Sequence, residues 1–139
     1  MVDFKYYLNR RDVKKQGKDR NLSKSLLNSA LERLKHAQNT KEIKSEAKYI
    51  IEDCYDAIRE AADSVLIKEG FKSYSHKATF IFLKENKIFN EEDYMKADKL
   101  RDIRNGIKYY AQEISLKQAI EAKKTANKLI KKLHQKIKQ

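Results

Sequence analysis

The sequence predicts an all-α protein, an up-and-down bundle of about five to six helices. Three observations predict it. Among 139 residues there is no proline and there are only three glycines, so helix-breaking residues are scarce. Hydrophobic residues make up 40% and charged residues 37%, which supplies a core and a solvated surface rather than a disordered chain. Apolar residues also recur at three- and four-residue steps through most of the chain, the period of a helix with one buried face. The length fits one domain, and a chain near this size buries about two-thirds of its unfolded surface.

Residues 2–15 read as a short helix with Phe4, Tyr7, Leu8 and Arg11 on one side. Tyr6 and Tyr7 beside Arg10 and Arg11 form either a base-stacking patch or, more simply, aromatics that pin a terminal helix to the body. Gln16 to Arg20, containing Gly17, reads as a break. It divides an N-terminal helical appendage (1–20) from a bundle (21–139). The next helix covers Leu22 to Gln38, with Asn21 or Ser23 as cap and Leu26, Leu27, Ala30, Leu31 and Leu34 as its stripe. His36, near its end, suits the negative pole of the helix dipole.

Thr40 caps the longest predicted helix, Lys41 to Glu69, and Gly70 stops it. Its stripe runs through Ala47, Ile50 or Ile51, Cys54, Ile58, Ala61 or Ala62, and Val65. Cys54, the single cysteine, falls on this stripe as a small core side chain. The opposite face carries Glu52, Asp53, Asp56, Glu60 and Asp63 with Arg59. Hard-cation sites need oxygens converging from several segments, so these carboxylates read as a solvated or interface face, with no metal site. Ser73 or Ser75 starts a helix through Glu85, with His76 in its first turn as a neutral hydrogen-bonding residue. Asn90 with Glu91, Glu92 and Asp93 starts another. Ser115 and Gln118 form a capping box for a last helix to about Lys138.

The net charge is +12 and it sits at the ends. Residues 1–20 hold seven Lys or Arg against three Asp, residues 21–115 are nearly balanced, and residues 116–139 hold eight Lys against one Glu. A basic end attracts nucleic acid, acidic protein or anionic lipid, while a lysine-coated solvated helix is the simpler account. No apolar run approaches the roughly 18 residues of a membrane span, and no signal-peptide pattern opens the chain. The expected location is the cytoplasm, without membrane contact.

The stretch Leu100 to Ile114 organises the functional reading. Leu100, Ile103, Ile107, Tyr110 or Ala111, and Ile114 make its stripe, while Arg101, Arg104, Asn105 and Lys108 share another face. Guanidiniums beside an amide suit phosphate or carboxylate. Gly106 sits mid-stripe, at a cost of about 1 kcal/mol against alanine, which points to a backbone approached closely or bent. There is no phosphate loop, no zinc-type Cys or His pair and no nucleophile elbow, so no cofactor is expected.

Across roughly residues 22–137 the chain resembles the HEPN superfamily of small helical-bundle proteins. The resemblance rests on AKYIIEDCYDAIREAADSVLIKEGF (47–71), SHKATFIFL (75–83) and RDIRNGIKYY (101–110). It implies a dimer around a shared cleft. Many members of that family are RNases with an arginine, often an Asn after it, and a histidine four to six residues beyond the arginine. Some are toxins neutralised by a minimal nucleotidyltransferase, and others bind nucleotides or RNA. Arg104 and Asn105 match the Arg-Asn, but the histidine position falls on Tyr109 or Tyr110. A tyrosine with an ordinary pKa near 10 is a poor base for a ribose 2′-hydroxyl near neutral pH.

The expectation is therefore a homodimer that binds RNA or a nucleotide through Arg101, Arg104, Asn105 and Lys108, with cleavage degenerate or absent. One alternative is an active RNase toxin using Arg104, Asn105 and Tyr109. Another is a non-catalytic interaction subunit whose partner is a nucleotidyltransferase.

Overall fold

A computed structural model describes residues 2–138 of the chain. It is an all-α bundle, as the composition and periodicity predict. The elements in order are α1 (Phe4–Asn9), β1 (Val13–Lys15), α2 (Arg20–Asn39), a single 3₁₀ turn (Lys44–Glu46), α3 (Ala47–Glu69), β2 (Phe71–Ser73), α4 (His76–Glu85), α5 (Glu91–Tyr110) and α6 (Leu116–Lys138).

The bundle is built around α3. Thirteen of its 23 residues are buried, over more than half of its circumference, so several elements must pack on it. Helix α2 runs antiparallel to it: Ser23 Oγ donates to the Ser64 carbonyl, and Arg33 reaches back to Glu60 and Asp53. Helix α6 packs along the same side, its Ala119, Ala122, Ala126, Leu129, Ile130 and Leu133 facing inward. Helix α5 runs antiparallel to α6, with buried Asp93 between Lys128 and Lys132. Asp93 also closes a capping box with Asn90, so one carboxylate both starts α5 and ties it to α6.

Gly70 closes α3 at φ 94°, where its N–H donates to the Ile67 carbonyl. A Cβ there would meet the Gln16 backbone oxygen at 2.8 Å, so the position tolerates only glycine.

The predicted helix over residues 2–15 is corrected. Only Phe4–Asn9 is helical, Arg11 adopts φ 65°, and Val13–Lys15 pairs antiparallel with Phe71–Ser73. A three-residue strand formed by long-range pairing has no period to read in the sequence. Residues 4–15 are sewn to the bundle. Phe4 lies edge-on to Phe71 and Phe82, its N–H donates to Glu85, and Val13 is buried. Tyr6 accepts a hydrogen bond from Arg10 on the outer side. Helix α2 also begins earlier than predicted, capped by Asp19 rather than Asn21 or Ser23.

The predicted start of the long helix at Lys41 moves to Ala47, and Thr40 terminates α2 instead of capping α3. Thr40 Oγ1 donates to the His36 carbonyl, while Lys123 Nζ donates to the carbonyls of Gln38 and Thr40 and pairs with Glu42. Lys123 is thus a buried cap for the end of another helix, where the sequence reading placed it among solvated lysines.

The stripe through Ile114 is corrected as well. Helix α5 stops at Tyr110, Ala111 turns left-handed at φ 49°, and Ile114 is buried from the connection, not from the helix. Tyr110, one of the proposed stripe positions, is exposed.

Candidate functional site

The N-terminus of α4 and the C-terminal half of α5 face each other across an open groove of about 300 Å³. Ser75 fixes one wall: its Oγ accepts from the Ala78 N–H and starts α4, which places His76 and Lys77 at the groove. The other wall is one turn after another of α5, presenting Arg101, Arg104, Asn105 and Tyr109. Gly106, on the buried side, lets the chain fold back. Gln112 donates its N–H to the Gly106 carbonyl, and its side-chain oxygen would lie 2.0 Å from an added Cβ. This is the close approach that the glycine cost suggests.

Arg104 is the centre of the site. Its side chain is 14% exposed, with the guanidinium 5.6 Å over the Tyr55 ring. Among the described residues its one anionic partner is Asp56, at 3.5 Å from Nη2, which is a long contact. Its buried Nε has no hydrogen-bond partner among the described residues. A guanidinium with five donors is therefore held in place by packing and left mostly unspent. Arg101 differs. It donates to Asp98 at 3.0 Å and pairs with Asp102 at 3.1 Å, so its charge is already answered on its own helix. Lys108 lies outside the groove lining, exposed, with its ammonium over the Tyr109 ring.

Of the residues singled out in the sequence, Arg101, Arg104, Asn105 and Tyr109 meet at one groove, and Lys108 stands beside it. The structure adds one that the sequence reading kept apart, His76. Its ring stacks on Tyr55, and Nδ1 lies 2.6 Å from the Tyr55 hydroxyl. It fixes a core tyrosine. Burial, then Arg59, Arg104, Arg101 and Lys108 around it, push its pKa down to about 4. The ring is neutral near pH 7.

Which nitrogen carries the proton follows from Tyr55. That residue is fully buried, and burial pushes its phenol upward, so the hydroxyl keeps its hydrogen. Among the described residues its hydroxyl has His76 as sole hydrogen-bond partner. Tyr55 therefore donates, Nδ1 accepts, and Nε2 bears the ring proton. A histidine in this tautomer offers a donor to an anion or a base edge. It offers no lone pair there to take a proton from substrate.

The acidic face of α3 is half-buried, and four of its five carboxylates are paired within the chain. Asp53 pairs with Arg33 and His36, Glu60 with Arg33, Asp56 with Arg104, and Asp63 with Arg59 and Thr79. Asp53 and Glu60 tie α2 to α3, Asp56 ties α5, and Asp63 answers Arg59 of its own helix and Thr79 of α4. His36 thus answers Asp53 across helices rather than only its own helix end. Burial pushes the carboxyls of Asp56 and Asp63 above the ordinary carboxylate range, against the pull of Arg104 and Arg59. Among the described residues, no three of His, Cys, Asp or Glu are grouped to hold a metal ion. No described helix is long and apolar enough to cross a membrane.

No signal within one segment could have found His76, because the tyrosine that fixes it is 21 positions earlier and the arginine beside it lies on a third helix. Compared with known proteins, the chain matches no family model, and no curated protein matches it.

Proposed function

We propose that this chain is a HEPN-like protein that binds RNA or a nucleotide through the groove between α4 and α5, as a homodimer, with cleavage degenerate or absent. One observation carries the reading. Arg104 is packed in place against Tyr55, yet among the described residues it meets one carboxylate, at 3.5 Å, which leaves its terminal N–H groups available to a phosphate. Asn105 and the neutral His76 line the same groove. The tautomer of His76 favours binding over cleavage, since the one histidine at the groove has its basic nitrogen occupied by Tyr55. Pairing of two such grooves and a cytoplasmic location belong to the same proposal.

The test is affinity for single-stranded RNA measured against salt. Affinity is expected to fall with salt at a log–log slope of about −0.7 per phosphate neutralised. Arg104→Ala is expected to weaken binding about 10- to 100-fold, the value of a charge-assisted contact. Binding that ignores salt, or its absence at low salt, overturns the proposal. Light scattering tests the pairing: a solution mass of 16.4 kDa rather than twice that removes the dimer.

A further inference from the structure

We infer that a second groove, between α2 and α6, is a docking site for an acidic amphipathic helix of another protein. It shares no lining residue with the groove between α4 and α5, and it stands whether or not that groove holds RNA.

The groove is an open trough of about 590 Å³ with two kinds of lining. Leu31 and Leu34 of α2, both half-buried, and Ile130 of α6, almost wholly buried, make it apolar. From α6 come Lys124, Lys128, Lys131 and His134. These positions are three and four apart, so they form one row along the helix, about 15 Å long. The three lysines are exposed. Lys124 and Lys131 have no ion pair or hydrogen bond among the described residues, whereas Lys128 spends part of its charge on Glu92 and Asp93. The trough thus joins leucines left partly in water to a bank of unanswered cations.

That pairing selects its occupant. Leucines offer nothing to a phosphate, and no tyrosine or phenylalanine lines the trough to stack on a base, so a nucleic acid would answer the lysines alone. A second copy carries a net charge of +12 and few unpaired acids. Four of the five carboxylates on its α3 face are paired within the chain, and Glu91 and Glu92 of α5 already meet Lys84, Lys96 and Lys128. A bilayer surface would meet exposed lysines, but these leucines are half-buried inside a trough. A helix with apolar residues at three- and four-residue steps and carboxylates along one flank answers both linings at once.

The probe is a fluorescein-labelled synthetic peptide of about 18 residues, five helical turns, with leucines at that spacing and glutamates on one flank. Fluorescence anisotropy is expected to show binding at low salt that weakens as salt rises. A peptide with lysine in place of glutamate, and one of scrambled order, are each expected to bind at least about 10-fold more weakly. The double variant Lys124→Glu, Lys131→Glu is expected to lose about 10-fold or more for the acidic peptide and to bind the basic one better than wild type does, with melting by circular dichroism unchanged. On the wild-type chain, NMR amide shifts induced by the acidic peptide are expected over residues 31–34 and 124–134. No binding of the acidic peptide at low salt overturns the inference. So do equal binding of the scrambled peptide, a charge-reversed variant that binds like wild type, or shifts confined to other elements. Phosphatidylserine vesicles or an RNA hexamer that shift these amides while the peptide does not would give the trough to a lipid or a nucleic acid, and overturn it too.

Discussion

Acidification is expected to weaken the fold through His76, and the sign follows from its surroundings. In the folded chain its pKa is held at about 4, against 6.5 for a free histidine, first by burial and then by four nearby cations. Between those values the unfolded chain binds a proton that the folded chain refuses. Stability therefore rises with pH through this window, is fully present above about pH 6.5, and is lost as pH falls toward 4. The full gap would amount to about 3 kcal/mol. The ring is only half-buried, and discounting for solvent brings the expected contribution to about 1–2 kcal/mol. Asp56 and Asp63, whose carboxyls are raised by burial, act in the opposite sense at the acid end, because the folded chain holds their protons more readily. The comparison must therefore be differential. Urea unfolding of wild type and His76→Asn at pH 7 and pH 4.5 isolates the ring, since asparagine does not titrate and still accepts from the Tyr55 hydroxyl. Wild type should lose about 1–2 kcal/mol more than the variant over that interval. Equal losses would refute the assignment. Nitrogen-15 NMR supplies an independent check: near pH 7 the proton should reside on Nε2, and a proton on Nδ1 would reverse the direction of the Tyr55 hydrogen bond.

Three further expectations concern the scaffold. Lys123→Met keeps the aliphatic stem but removes the ammonium from the Gln38 and Thr40 carbonyls, and should cost about 1–2 kcal/mol in urea unfolding; an unchanged midpoint would deny it a capping role. Cys54, fully buried with its thiol pushed up to about 12 chiefly by burial, should react with a disulfide reagent at pH 8 at least about a hundredfold more slowly in the native chain than in denaturant, followed by thiolate absorbance. Phe80→Ala leaves a hole where a fully buried ring meets Tyr55 and Phe89, and should cost about 3–5 kcal/mol by thermal or urea unfolding; a loss under 1 kcal/mol would mean the core collapses around it.

The long helices were legible because each carries its own signals. Asn90 with Asp93 and Ser115 with Gln118 announce helix starts within four residues, and both capping boxes form. Gly70 announces a stop, and the left-handed φ is there. The two tiny strands were not legible, because Val13 and Ser73 become neighbours only when the ends of the bundle meet. Half of the candidate site followed the same division. Arg101, Arg104, Asn105 and Tyr109 share a helix face, and helical spacing alone brings them together. His76 joins them from another helix, and its tautomer is set by a third.

Composition and periodicity by themselves determined that this is a helical bundle, where most helices end, and that one helix gathers two arginines and an asparagine. Those are short-range matters, decided within a turn or two of the chain. Tertiary structure alone decided which charges are spent and which remain available. Arg101 is answered by acids on its own helix, Lys123 by carbonyls some 80 residues away, Asp53 and Glu60 of α3 by α2, and Asp56 by α5. Among the described residues Arg104 is left with a single distant carboxylate. Charge in a sequence is only a count; its partner is fixed by packing, because ion pairs and hydrogen bonds act over a few ångströms that only the folded chain defines.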